Sequence, residues 1–482
     1  MSEHFDVLVV GAGISGIGAA YYLKARSPNR TFAVLEGRPD IGGTWNLFRY
    51  PGIRSDSEMF TLGYAFHPWT DNKMIAGADA ILSYLNDTID TYGIRPHLRF
   101  RHRVEAASWS SETNRWTVSV TRGENAEKAE ITCNFLFMCS GYYDYREGHS
   151  PDFAGREDFG GDIVHPQKWP ADLDHSGKKV VVIGSGATAI TLIPSLAETA
   201  EHVTMLQRSP TYIVAGPSED RLANWARDRL PTKTAYRMSR WKHVLRSQFY
   251  FSLARRAPRF ARDQIRKGQE ALLGPDYDYD KHLTPKYNPW DQRVCLAPDG
   301  DFFRVLKSGK AEIVTDTIDT FTEGGIKLDS GQELDADIIV TATGLKLLFL
   351  AGIPLTVDGK SIVLSDTMTY KAMMFSDIPN LALSFGYTNA SWTLKSDLTG
   401  EYVCRLLNHM SEQGHGKCVA RLTDPSVSNE PFLDFSSGYI TRALDSMPKQ
   451  GSKSPWKMYQ NYALDLVAIR YGKVADGVME FS

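Results

Sequence analysis

The segment Phe5-Asp6-Val7-Leu8-Val9-Val10-Gly11-Ala12-Gly13-Ile14-Ser15-Gly16 reads as an apolar strand running into a glycine turn, and residues 17–24 continue it at helical spacing. The three glycines serve different ends. Gly11 permits the tight turn, Gly13 lets a pyrophosphate approach the backbone, and Gly16 lets helix and strand pack closely. The N-terminus of the helix then faces the phosphates. A second strand over 31–35 ends in Glu36, twenty residues after Gly16, where a carboxylate accepts from ribose hydroxyls. Strand, helix and acid all have the required order, which favours a dinucleotide-binding βαβ unit over a glycine turn without a ligand.

The same plan returns about 170 residues later. Strand 179–183 leads through Gly184-Ser185-Gly186-Ala187-Thr188-Ala189 into another apolar helix, and strand 202–206 ends in Gln207-Arg208. An acid at that strand end would repel a 2′-phosphate, whereas Arg208 pairs with one. The second unit therefore favours NADPH over NADH. Two such units in one chain point to a flavin and its hydride donor. The expected fold class is α/β, with two Rossmann-like domains, one for FAD and one for NADPH, and a helical insertion in the latter.

The remaining pattern fits that division. Residues 104–110 and 115–121 read as a hairpin, and strand 131–139 ends at Ser140-Gly141. Strands over 311–314, 317–321, 326–328 and 337–343 repeat the arrangement up to Gly344, and 379–385 reads as one more buried strand. The expected domains are FAD-binding over 1–145, NADPH-binding over 146–217, a helical insertion over 218–282, NADPH-binding again over 283–344, and FAD-binding again over 345–482.

The chain has 482 residues, 42% hydrophobic and 23% charged, with a formal net charge of −3. That balance argues against a nucleic-acid binder, which is usually basic overall. No apolar run reaches the roughly 18 residues of a membrane span. The five cysteines form no C-x-x-C pair, which disfavours a zinc ribbon or a dithiol redox site, and no metal is expected. The first strand begins near Phe5, leaving no room for a signal peptide, so a cytoplasmic enzyme is expected. Residues 221–267 depart from this balance. They hold fourteen Lys or Arg against two Asp, a local net charge of +12, interleaved with aromatics at helical spacing. A basic, aromatic helical surface is what peripheral membrane attachment uses, and a solvated face or an oligomer contact is the plainer reading.

Further motifs surround the two units. Gly42-Gly43-Thr44-Trp45 follows the first acidic strand end and brings backbone close to a ligand. Arg49-Tyr50-Pro51-Gly52-Ile53-Arg54-Ser55-Asp56 is a rigid turn ending in a carboxylate, which either caps a helix or carries chemistry. Residues 159–170 read F-x-G-x-x-x-H-x-x-x-W-P, from Phe159 through Gly161 and His165 to Trp169 and Pro170. His165 is open to three readings: a structural residue, an acid–base group, or a linker coupling domain motion to turnover. Trp392 either packs in the core or lines a substrate cavity.

These motifs together resemble the type I Baeyer–Villiger monooxygenases. The resemblance rests on the two fingerprints flanking the 159–170 motif, with Gly42-Gly43-Thr44-Trp45 and Tyr50-Pro51-Gly52. The Trp169-Pro170 ending separates that family from related flavin monooxygenases. Stretches 48–57, 205–214, 287–293 and 386–394, and Lys449-Gln450-Gly451-Ser452, extend the resemblance over essentially the whole chain, towards a branch that acts on a thioamide.

The resemblance implies an FAD- and NADPH-dependent oxygenase that inserts one atom of O₂ next to a ketone carbonyl by way of a C4a-peroxyflavin. It also implies S-oxygenation of sulfides or thioamides, the alternative being N- or S-oxygenation without ester formation. The implied catalytic residues are Arg293 and the Asp56 that holds it. Implied FAD contacts are Ser15, Glu36, Thr44, Trp45, Asp56 and Val104, beside Gly11, Gly13, Gly16 and Gly43. Implied NADPH contacts are Arg54, Gly184, Ser185, Gly186, Ala187, Thr188, Gln207 and Arg208. Gln292 stands where many members carry a Lys that assists with the 2′-phosphate, and its loss of charge should weaken discrimination against NADH.

Overall fold

The computed structural model describes residues 3–433 and 437–482. The larger sheet is built around strand Glu3–Val10, which pairs in parallel with Phe32–Leu35 on one side and Glu127–Met138 on the other. Val7, Leu8, Val9 and Val10 are all buried, because a parallel strand is covered on both faces and needs a continuous apolar run. Strand Glu127–Met138 has two partners along its other edge. Residues 127–133 pair antiparallel with Arg115–Arg122, and 136–138 pair in parallel with Leu381–Leu383. The last third of the chain thus enters the first sheet. The strand starts at Glu127, earlier than the apolar run suggests, because its first half alternates between a wet and a buried face.

The second sheet is wholly parallel. Its order is Ala311–Thr315, His202–Gln207, Lys179–Ile183, Ile338–Thr341, Asp162–Val164. Ile318–Thr322, Gly325–Leu328 and Glu333–Asp335 do not join it. They form a separate antiparallel meander, whose third strand leaves no hydrophobic pattern because it is short and mostly charged. Apolar clusters cover both faces of each sheet. Tyr143–Gly148 and Leu345–Leu347 pair antiparallel where the chain passes from one sheet to the other and back.

The helices Arg221–Arg229, Thr232–Arg256 and Pro258–Leu273 lie between two strands, Tyr212–Gly216 and Val294–Pro298, that pair with each other in parallel. The long helix Thr232–Arg256 is anchored by polar groups. Arg240 donates to the carbonyls of Phe60 (2.9 Å) and Gly63 (2.7 Å) and to Asp397 (3.1 Å), and Tyr236 donates to the carbonyl of Tyr64 (2.9 Å). Arg240 is therefore a buried, fully engaged cation rather than part of a solvated basic face.

Candidate active site

Gly11 has φ +105°, and a Cβ there would lie 2.6 Å from the Cys139 carbonyl oxygen. A Cβ on Gly16 would overlap the Gly11 carbonyl oxygen, so helix and strand touch backbone to backbone. Gly13 differs: its Cβ position is open except for Gly43 Cα at 3.5 Å. The two glycine turns thus face each other. Helix Ile14–Arg26 begins at Gly13 with no side-chain cap, leaving its first N–H groups available. That cradle fits a pyrophosphate.

Around it, the Ala12 N–H donates to Glu36 Oε2 (2.8 Å) and the Arg38 N–H to Oε1 (2.9 Å). Burial pushes the Glu36 carboxyl upward, and these two bonds oppose it. Each oxygen keeps a lone pair for a ribose hydroxyl. Thr44 Oγ1 and Tyr145 Oη stand 3.3 Å apart beside Gly43, Trp45 packs half-buried on the core, and Val104 is buried with Leu35. Ser15 Oγ accepts from Trp392 Nε1 at 2.7 Å. The Trp392 ring stacks on Tyr142 with centroids 5.1 Å apart, so this half-buried indole spans the first turn and a tyrosine cluster. Ser140 Oγ is buried with no partner among the described residues, and Ser140 Cα lies beside Gly11. It belongs with the cradle, and the only hint in the sequence was a strand ending in Ser-Gly.

The second turn repeats the first. Gly184 has φ +132° and lies against the Ala342 carbonyl as Gly11 lies against that of Cys139. The third position is Ala189, fully buried, so this helix stands off its strand by a methyl group. Gly186 caps helix Ala187–Leu196 without a side chain, and a Cβ there would meet nothing within 4 Å among the described residues. Ser185 Oγ donates to the Ser209 carbonyl (3.1 Å), and Arg208 is exposed at the strand end. Gln207 is partly committed to structure. Its Nε2 donates to the His282 carbonyl and to Thr315 Oγ1, both at 2.8 Å, while Oε1 is buried and unpartnered among the described residues. Arg54 binds Asp301 at 2.5 Å, and its Nη2 is likewise buried without a partner among the described residues. An orphaned guanidinium nitrogen and an uncapped helix suit a phosphorylated nucleotide.

The segment 49–56 connects the two turns. Tyr50 hydrogen-bonds Thr188, and the Tyr50-Pro51-Gly52 turn lies against Ser195 of the second fingerprint helix. The cap of helix Met59–Leu62 is Glu58, whose side chain accepts from the Thr61 N–H, so capping does not employ Asp56. Asp56 Oδ2 instead lies 3.5 Å from Arg293 Nη2. Arg293 follows a tight loop in which the Asn288 N–H donates to Asp291 (3.1 Å) and Trp290 takes φ +71°. Arg255 and Phe251 of the long helix brace that loop, through Asp291 at 2.6 Å and Trp290 at 5.6 Å between centroids. Burial works against the Arg293 cation, and Asp56 together with Tyr439, Tyr142 and Tyr143 more than offsets it, so the guanidinium titrates above its ordinary value. Tyr142 and Tyr143 share a hydroxyl contact of 2.9 Å nearby, and burial keeps both phenols neutral. These tyrosines belong to no motif that the sequence shows.

In the 159–170 motif, Phe159 is buried in a small core, Gly161 lies against the Asp337 carbonyl, and Trp169 packs on the second core. His165 Nδ1 accepts from the Gln167 N–H (3.1 Å), so Nε2 carries the proton and donates to the Gly344 carbonyl (3.2 Å). The ring lies against Gly148, and burial lowers its pKa. Both nitrogens are engaged at the paired strands joining the two sheets.

Comparison with known proteins agrees with this arrangement. The pattern of the family described as flavin-binding monooxygenase-like matches residues 5–225. The FAD-containing monooxygenase EthA of Mycobacterium tuberculosis is 52% identical over 483 aligned positions, covering 100% of this chain and 98% of that protein. The probable FAD-binding monooxygenase AlmA of Acinetobacter baylyi is 46% identical, covering 100% of this chain and 97% of its own. Among solved structures, an oxidized steroid monooxygenase bound to NADP superposes with a TM-score of 0.77 at 23% identity, covering 99% of both chains. An open cyclohexanone monooxygenase gives 0.76 at 21%, covering 100% of both. With relatives this similar over its whole length, and with both glycine cradles intact, the chain belongs to the flavin-binding monooxygenases.

Proposed function

We propose that this enzyme is an NADPH- and O₂-dependent Baeyer–Villiger monooxygenase that converts ketones to esters or lactones and also oxygenates sulfides or thioamides at sulfur. The observation that carries the reading is the Arg293–Asp56 pair and its ties to both glycine turns. Trp392 and Tyr142 link it to Ser15, and Tyr50 links its segment to Thr188. Gly11, Gly13, Ser15, Gly16, Glu36, Gly43, Thr44 and Trp45 would hold FAD, and Arg54, Gly184 to Thr188, Gln207 and Arg208 would hold NADPH. Bound there, the two cofactors supply hydride transfer and the reductive activation of O₂.

The protein's own share is positioning and charge. Arg293 offers N–H donors to the oxyanion that develops on a ketone oxygen as the carbonyl is attacked. A preorganised donor of this kind is typically worth about 3–4 kcal/mol. Asp56 orients the guanidinium while keeping the pair near neutral. Trp392 and the neutral hydroxyls of Tyr142 and Tyr143 wall the same region and limit water. His165 clamps the two connecting strands, and its part in turnover is to hold the sheets in register. Arg208 selects the 2′-phosphate.

Product analysis tests this reading. Linear, cyclic and aromatic ketones, a sulfide and a thioamide are each incubated with enzyme, NADPH and O₂. Esters or lactones together with S-oxides are expected. S-oxides with no ester from any ketone would replace the reading with heteroatom oxygenation, and NADPH consumption without any oxygenated product would overturn it.

A further inference from the structure

The long helix Thr232–Arg256 buries polar groups on its inner face while it leaves large apolar ones exposed on its outer face. Its buried face sets Ser239, Arg240 and His243 among Ala235, Tyr236 and Val244, and Tyr236, Arg240 and His243 are held to other elements by hydrogen bonds and ion pairs. Its outer face carries Met238, Leu245 and Phe249, at i, i+7 and i+11, with exposures of 55%, 62% and 63%. Tyr250 is 59% exposed, and Leu222 and Trp225 on the neighbouring helix are 59% and 49% exposed. Of the twelve large apolar side chains exposed among the described residues, seven lie within 222–260. A helix facing only water reverses this order, because exposed methyl and phenyl groups gain from leaving water while buried polar groups must each find a partner. So dense an apolar patch marks a face that something covers.

The charge says what covers it. Nine of the fourteen basic residues in 221–267 are exposed, among them Lys233, Arg237, Arg246 and Arg256 on the long helix itself. Lys233, Arg237, Met238 and Trp241 line a shallow groove of about 400 Å³ on that face. A second copy of the chain docking the same face would set one strongly positive surface against another. The aliphatic Met238 and Leu245 offer no stacking platform for nucleic-acid bases. No helix of the described residues is long and apolar enough to cross a membrane, so the contact is with a surface.

We propose that the outer face of helix Thr232–Arg256 docks on an anionic phospholipid bilayer. Met238, Leu245 and Phe249 enter the acyl boundary, and Lys233 and Arg237 lie at the level of the headgroup phosphates. The C-terminal end of this helix, through Phe251 and Arg255, braces the loop that carries Arg293. The docked face is thereby next to the candidate active site. The binding itself does not depend on which oxygenation the enzyme performs.

Vesicle co-sedimentation of the full-length holoenzyme tests the proposal. The vesicles contain phosphatidylcholine with about a third phosphatidylglycerol, or phosphatidylcholine alone. The enzyme should sediment with the anionic vesicles at low salt and be released at about 1 M salt, where the Debye length falls to about 3 Å. The double substitution Leu245→Glu with Phe249→Glu should lower the partition coefficient at least about tenfold, and Lys233→Glu with Arg237→Glu should do the same. Both variants should retain wild-type flavin content and NADPH oxidation, which shows that they fold. No sedimentation of the wild type with anionic vesicles, equal sedimentation with neutral ones, or a wild-type dimer that the Leu245→Glu, Phe249→Glu variant converts to monomer would each overturn the proposal.

Discussion

Arg293 Nη2 lies 3.5 Å from Asp56 Oδ2, although the two residues are 237 positions apart. They come from the opening segment of the chain and from the return of the second fold. The pair is longer than the 2.7–2.9 Å of a tight charge-assisted bond, and Arg293 remains 42% exposed. Asp56 is therefore an orienting partner rather than a rigid clamp. Asp56→Asn, which keeps the shape and removes the charge, should lower oxygenated product by about tenfold, the scale of one partly screened charged hydrogen bond. Coupled assays of NADPH oxidation and product show the effect as wasted NADPH.

Arg208 is exposed where the second fingerprint's second strand ends. Losing a guanidinium–phosphate contact costs about 1.5–3 kcal/mol, or about ten- to hundredfold in affinity. Arg208→Ala should raise KM for NADPH by that factor and leave KM for NADH nearly unchanged. Steady-state kinetics with both nucleotides check this, and equal changes would remove Arg208 from the 2′-phosphate site.

Gly13 and Gly16 should fail differently. A methyl group on Gly16 overlaps the Gly11 carbonyl, so Gly16→Ala should destabilise the fold by about 1–3 kcal/mol or more. A methyl group on Gly13 finds its nearest neighbour at 3.5 Å and fits the protein, but occupies the cradle. Gly13→Ala should unfold near the wild-type temperature and carry little FAD. Thermal unfolding of both apoproteins, with flavin content read by absorbance, separates the two effects.

His243 and Glu58 should give the protein opposing responses to acid. Burial, with help from Arg246, pulls His243 down from 6.5 to about 4, and its ring bonds Asp220 at 2.7 Å. Burial pushes Glu58 up from 4.5 to about 7. The histidine contribution is complete above pH 6.5 and is lost as the pH falls towards 4, because the unfolded chain takes the proton first. The glutamate contribution is complete below pH 4.5 and is lost as the pH rises towards 7, because the folded chain holds the proton longer. Glu58→Gln should therefore make stability fall more steeply on acidification, and His243→Gln should make it fall less or rise. Denaturant midpoints between pH 4.5 and 7 give the sign of each.

The two glycine turns were legible because their requirement is local. A positive φ beside a carbonyl and a helix touching a strand leave a three-residue signature at Gly11, Gly13 and Gly16. The separation of Arg293 from Asp56 leaves none, and only resemblance to a family paired them. Asp56 itself could have been a helix cap on sequence grounds. Glu58, with Thr61 three residues on, takes that role and leaves Asp56 free. Gln207, expected as a nucleotide contact, commits both amide hydrogens to His282 and Thr315 and keeps only its Oε1 without a partner among the described residues, a division that depends in part on a strand more than 100 residues away. The basic stretch was countable, but not that Arg240 points inward to Phe60, Gly63 and Asp397 while Phe249 points out. That inversion is set by carbonyls of another element, which no periodicity within 221–267 records.

The central claim is that Arg293 stabilises oxygen insertion and is not needed for flavin reduction. The most direct measurement is Arg293→Ala, followed by anaerobic reduction with NADPH in a stopped-flow instrument and by product analysis with a ketone in air. Reduction should stay within a few-fold of wild type while ester formation falls by about 10²–10³. Ester formation at a near-wild-type rate in this variant would contradict the account.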